Sequence, residues 1–173
     1  MRTTTPFRAA VIGLLALTLA GCGISIPSDP DGTLDEARDG VLRAGVSPHG
    51  EFVVVEPGAS APTGSDLSGS EVEAIEAFAD SIGAEVEWTV SSEEALVRGL
   101  EAGDLDLVAA GLTDATPWID KAGVTRPYAE TTSPDGSPQK LVMLVPIGEN
   151  AFLTELETFL TEYGRAQSGE AAR

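Results

Sequence analysis

The chain has 173 residues, 28 of them acidic and 10 basic, and a formal net charge of −18. Such a surface repels nucleic acid and anionic lipid, and its carboxylates read as solvation because no acidic run has the spacing of a calcium loop. One cysteine and one histidine exclude an internal disulfide, a His-ligated metal pair and a Ser-His-Asp triad built around a second base, so neither metal nor cofactor is expected.

Arg2 and Arg8 precede an uninterrupted apolar or small stretch from Ala9 to Ala20, the order of a secretory signal peptide. The stretch is too short to span a bilayer, which takes about 20 apolar residues. Leu19-Ala20-Gly21-Cys22 is similar to the lipobox of bacterial lipoproteins, which implies cleavage after residue 21 and a diacylglycerol on Cys22. Two acyl chains, at roughly 0.8 kcal/mol per buried methylene, hold a protein where one would exchange. The other reading is an ordinary signal peptide with a chance cysteine. Residues 22–38 are rich in Ser, Pro, Asp and Gly without an apolar period, and read as a flexible tether.

Residues 39–164 have the size of one domain. Val41 to Val46 reads as a first strand, and Phe52 to Val55 as a short extended segment ending at Pro57-Gly58. Ser70 is a candidate cap for a helix with Val72, Ile75, Phe78, Ala79 and Ile82 on one face and Gly83 as its stop. Ala84 to Val90 alternates as a half-buried strand. Ser91-Ser92-Glu93-Glu94 offers a capping box for a helix carrying Ala95, Leu96 and Leu100 and ending at Gly103. Leu105 to Ala110 is a third strand and Leu141 to Pro146 a further one. Asn150 can cap a last helix with Phe152, Leu153, Leu156, Phe159, Leu160 and Tyr163 in one stripe before Gly164, after which residues 165–173 read as a frayed tail.

Alternating strands and helices predict an α/β fold: one open, mostly parallel sheet with helices on both faces. Small molecules bind such sheets beyond the carboxyl ends of the strands, where strand order reverses. With the first strand flanked by the second and third, the crevice falls between Ser47 to Phe52 and Gly111 to Trp118.

At these segments the chain resembles the family 3 extracellular solute-binding proteins, receptors that feed polar amino acids and similar solutes to bacterial ABC importers. The resemblance rests on residues 42–47 (Leu-Arg-Ala-Gly-Val-Ser), 69–75 (Gly-Ser-Glu-Val-Glu-Ala-Ile), 104–113 (Asp-Leu-Asp-Leu-Val-Ala-Ala-Gly-Leu-Thr) and 125–128 (Thr-Arg-Pro-Tyr), in register along the first lobe. It implies that Ser47 and Phe52 offer a polar group and a ring to the solute, and that Gly111 and Thr113 offer backbone and hydroxyl groups. For Phe52 and Thr113, core packing and turn capping are the competing readings. Glu71 and Thr116 complete the candidate set with Trp118.

Two departures stand out. Where the family places a Thr-x-x-Arg turn that grips a carboxylate, residues 114–121 hold no arginine. Trp118 offers instead a flat face suited to stacking or to a cation, with Asp114 and Asp120 nearby, or it packs on the sheet edge. The second lobe is also missing, since Tyr128 leads through a polar, turn-rich link directly to Leu141. A lone lobe leaves half of a ligand wet unless a partner supplies the other wall.

The expected function is a lipid-anchored, single-lobe solute-binding protein on the extracytoplasmic face of the cell membrane. It would bind an amino acid or amine and work with a transporter permease or another exported protein. The alternative is a solute-free docking lipoprotein. Related two-lobed scaffolds also occur as dehydratases and as partners of peptidoglycan-cleaving domains, which would put Glu71, Asp104 and Asp106 to acid-base work. An open lobe excludes water poorly, so no enzyme is expected; Asp104 reads as a turn residue and Asp106 as an outward strand position.

Overall fold

In chain order the elements are α1 (Thr33–Ala37), β1 (Val41–Val46), β2 (Val54–Val55), β3 (Leu67–Ser68), α2 (Ser70–Ile82), β4 (Glu85–Val90), α3 (Glu93–Ala102), β5 (Leu107–Ala109), β6 (Gly123–Val124), β7 (Ala129–Thr132), β8 (Pro138–Leu141), β9 (Leu144–Val145) and α4 (Asn150–Gln167). They come from a computed structural model that describes residues 29–57, 63–133 and 135–169. The expected signal peptide and the lipidation expected at Cys22 lie outside the described residues.

β1 is the strand on which the others assemble. Leu42, Ala44 and Val46 are fully buried on one face, and on the other a Cβ at Gly45 would stand 2.8 Å from methyls of Leu96 and Leu105. A strand covered on both sides belongs inside a sheet. It pairs in parallel with β4 and with β5, so the first strand is flanked by the second and third as the sequence predicts. β9 joins β5 antiparallel and β6 joins β9 antiparallel, giving the order β4-β1-β5-β9-β6. All strands but β9 therefore run one way.

Helices cover both faces. α1, α2 and α4 pack on the side of Leu42, Leu107 and Met143, where Phe78 meets Phe152 edge-on at 5.8 Å. Burying each such ring stabilises the fold by about 1.5–3 kcal/mol. α3 covers the other face with Leu96, Val97 and Leu100 against Leu105, Val108 and Leu144. Gly83 and Gly103 end α2 and α3 in the left-handed conformation, as expected.

Several sequence expectations are corrected. The tether reading fails for residues 29–38, which form α1 and bury Thr33, Leu34 and Ala37. The cause is a pair of reciprocal caps from distant sequence. The Asp29 carboxylate accepts from the N–H groups of Ala151 (2.7 Å) and Phe152 (3.1 Å), at the start of α4, and from Leu34 N–H. The buried Glu149 carboxylate accepts from Asp31 N–H and Thr33 N–H, both at 3.0 Å. Remote carboxylates thus satisfy the starts of α1 and α4, and none of the expected local caps forms: Ser70, Ser92 and Asn150 make no side-chain cap.

Asp106 is buried, not outward. Its carboxylate takes the backbone N–H of Arg43 at 2.8 Å and pairs with the Arg43 guanidinium, which also donates to Gly103 O at 2.6 Å. The third strand covers only Leu107–Ala109, and the pair fastens its start to β1. Leu141 to Pro146 divides: Leu141 ends the β7/β8 hairpin, and only Leu144–Val145 enter the sheet. α4 runs past Gly164 to Gln167, so Arg165 to Gln167 are helical.

Replacing Asp29 with Ala should lower stability by about 1–2 kcal/mol, the usual effect of losing a helix cap. Urea unfolding reads it directly, and a midpoint equal to that of the unaltered chain would show that the α1 segment contributes nothing.

Candidate functional site

β1 and β5 end side by side, Ser47 N–H reaching Ala109 O at 3.3 Å, before their loops part. The first loop is tight. His49 N–H donates to Val53 O at 2.9 Å and Phe52 N–H to His49 O at 3.0 Å, while the His49 and Phe52 rings stack with centroids 5.9 Å apart. This loop is seated on the start of α2, where Ser70 and Glu71 N–H groups donate to the carbonyls of Glu51 and Phe52. Gly69 makes the seat possible: at φ 116° its missing Cβ would lie 2.4 Å from Phe52 O.

The Glu71 side chain, fully buried, turns inward and joins three segments. One oxygen accepts the N–H of Gly111 at 2.8 Å and the other the hydroxyl of Tyr128 at 2.6 Å. Burial pushes its carboxyl up from the ordinary glutamate range; the Tyr128 and Gly111 bonds and the nearby His49 oppose the shift. Burial and the Glu71 carboxylate keep the Tyr128 hydroxyl protonated. Gly111 itself sits at φ 61° with its Cα against His49, where a Cβ would come within 2.5 Å of the ring.

Beyond Gly111 the chain bridges to the hairpin, Thr113 facing Leu141 and Asp114 N–H reaching Lys140 O at 2.9 Å. It then turns twice. Thr116 N–H donates to Thr113 O, and both Lys121 and Ala122 N–H groups donate to Trp118 O. Trp118 is half-buried against the α3 face, its indole N–H pointing to Glu93 at 3.4 Å.

The fold thus gathers Ser47, Phe52, Glu71, Gly111 and Thr113 where β1 and β5 end. Ser47, Phe52 and Thr113 keep partial exposure, whereas Glu71 and Thr116 are buried. Glu71 is therefore a clasp for the loops that line the crevice; its two oxygens are taken. Trp118 packs beside the start of α3, with the cluster that α3 covers. His49, exposed in the first loop, and Tyr128 belong to the same cluster and were not in the candidate set. The Pro-Tyr pair was the signal for Tyr128. Neither loop contains Lys or Arg, and the cations that follow are engaged elsewhere, Lys121 with Glu101 and Arg126 with Glu157. Among the described residues no group of three or more His, Cys, Asp or Glu could hold a metal ion, and no helix is long and apolar enough to cross a membrane.

Comparison with known proteins follows the same lines. Residues 55–169 match the sequence profile of the bacterial extracellular solute-binding proteins, family 3. The chain is 34% identical over 114 residues, 64% of its length, to the membrane-bound lytic murein transglycosylase F of two Vibrio cholerae strains, and it spans only 19% of those proteins. Among solved structures it is similar to the arginine-bound form of domain 1 from TmArgBP, at 19% identity and TM-score 0.59, over 70% of this chain and 92% of that one. It is also similar to an ancestral cationic amino acid solute-binding protein (14% identity, TM-score 0.62, 79% and 95%) and to a Salmonella typhimurium periplasmic binding protein of high arginine specificity (13%, 0.60, 75% and 97%). At these identities the structures establish the fold, one lobe of a periplasmic-binding-protein architecture.

The Glu71 clasp is testable through pH. Because the folded carboxyl titrates above about 4.5, its ordinary value, the folded chain holds the proton longer than the unfolded one. Stability then falls as pH rises from that value through the folded pKa and is level above it. Glu71→Gln, whose amide can accept from Gly111 and donate to the Tyr128 oxygen, should remove this component. Glu71→Ala should cost about 3 kcal/mol by leaving both groups unpaired. Parallel pH profiles of unfolding for the unaltered chain and Glu71→Gln would refute the assignment.

Proposed function

As the chain belongs to the bacterial extracellular solute-binding proteins, family 3, we propose that it is a lipid-anchored receptor, bound through Cys22, whose single lobe takes a small polar or cationic solute into the crevice beyond β1 and β5. It binds and does not catalyse. The observation that carries this reading is the juxtaposition of the Ser47 and Gly111 loops, which Glu71 and Gly69 hold in place beside each other. Ser47 and Thr113 supply hydroxyls, Phe52 a ring, and the Gly111–Thr113 backbone its polar groups.

The absence of Lys and Arg from both loops bears on the ligand. A solute carboxylate meets only neutral donors there, while Glu51, Glu93 and Asp114 favour positive charge, so a basic amino acid or an amine fits better than an acidic one. The arginine-bound and arginine-specific neighbours support that direction. With one lobe the solute stays partly wet, so a transporter permease or other exported partner provides the second wall. A second reading, docking without solute, is favoured by the transglycosylase relatives, in which a segment like this lobe is part of a much longer enzyme.

Thermal unfolding in rising arginine, lysine, glutamine or glutamate separates the two. A solute at tenfold its dissociation constant adds about 1.4 kcal/mol, a rise in Tm of about 3–5 °C for a domain of this size. Arginine or lysine should produce it and glutamate should not. No shift with any of the four would leave docking as the function. If the indole reaches the solute, Trp118→Ala weakens binding about fivefold or more; unchanged affinity assigns Trp118 to packing alone.

A further inference from the structure

A second concavity lies on the helical side of Phe52, between the first turns of α2, the β7/β8 hairpin and the last turns of α4, with a volume of about 540 Å³. Small-molecule sites are commonly about 300–1,000 Å³. Its walls are the rings of Phe52, Tyr128 and Tyr163, its floor Leu141 and Leu160, and its rim carries the exposed carboxylates Glu73 and Glu130. No lysine or arginine lines it. Gly164 leaves it open, since that turn of α4 lies against the Tyr128 carbonyl without a side chain to fill the space.

The rings are fixed before any ligand arrives. The Tyr128 hydroxyl donates to Glu71, the Tyr163 hydroxyl accepts from the Gln167 amide at 3.1 Å, and the Tyr163 ring stacks on Phe159 at 5.5 Å. The rim carboxylates are uncommitted: among the described residues neither Glu73 nor Glu130 accepts a side-chain hydrogen bond or forms an ion pair, although Lys140 stands opposite Glu130 in the hairpin. Apolar faces under unneutralised carboxylates attract an ammonium group carried on an apolar body and repel a carboxylate.

We infer that this groove is a binding site for an amphiphilic amine, distinct from the crevice, and that it discriminates against an acid of the same shape. Phe52 is common to both sites; Glu73, Glu130 and Tyr163 belong to the groove alone.

The test uses the full chain with phenethylamine and its acidic counterpart 3-phenylpropionate as probes, titrated by calorimetry and followed by amide chemical shifts. The amine should bind with a dissociation constant on the order of 1 mM, as its small size dictates, and the acid about tenfold more weakly or not at all. Shifts should centre on Glu73, Ala129 and Gly164. The double substitution Glu73→Gln with Glu130→Gln, both on the surface, should weaken the amine about fivefold or more while leaving any arginine response of the crevice unchanged. Equal binding of amine and acid, undiminished binding by the double variant, or shifts centred on Ser47, Thr113 and Trp118 would each overturn the site. Arginine failing to bind while the amine binds would count against the crevice and not against the groove.

Discussion

The buried carboxylate of Glu71 is the constraint on which the shape of the crevice depends. It comes from the first turn of α2, yet its partners are the backbone of the turn after β5 and the hydroxyl of Tyr128, at the start of the link to the hairpin. A charge removed from water is tolerated only when its oxygens are hydrogen-bonded, and here the bonds come from segments 40 and 57 residues away. The cost of burying it is thus converted into a fixed distance between loops that the pairing of β1 with β5 has already brought side by side.

The same device recurs elsewhere in the lobe. Asp106 ties β5 to β1 through Arg43, and Asp29 with Glu149 ties α1 to α4. Each carboxylate engages backbone N–H groups as well as, or in place of, a cation. An acidic protein with few cations has carboxylates in excess, and backbone donors at helix and strand ends are the partners left for them. Where a two-lobed relative's chain would cross to a second lobe, Tyr128 instead leads into β7, a turn closed by Ser133 N–H to Ser137 O, and straight back along β8. The hairpin gives this edge of the lobe an end of its own.

Local pattern made α2, α3, α4 and the sheet's centre legible in the sequence. Val72, Ile75, Phe78, Ala79 and Ile82 at helical spacing with Gly83 behind them define α2, and the run around Gly45 defines a strand buried on both faces. The meeting of the loops that follow β1 and β5 was legible too, from the strand order. What the sequence hid were interactions made at long range. Asp29 and Asp31 looked like linker because the groups they cap or are capped by lie about 120 residues on. Glu71 looked like a ligand contact because nothing local announces that Gly111 and Tyr128 close over it. Asp106 looked outward because it was read inside a strand from Leu105 to Ala110, whereas β5 begins at Leu107 and pairing with Arg43 decides the direction of Asp106.

The Asp29 clasp has a mechanical meaning. Asp29 lies against the start of α4, which follows the antiparallel β9, so the polypeptide joins the lobe at the amino edge of β1 and β5. Six residues of β1, roughly 20 Å at 3.3 Å each, separate that edge from the crevice. A pull applied upstream of Asp29 would therefore be borne by the foot of α4 and enter the lobe at the end of the strands opposite to the Ser47 and Gly111 loops.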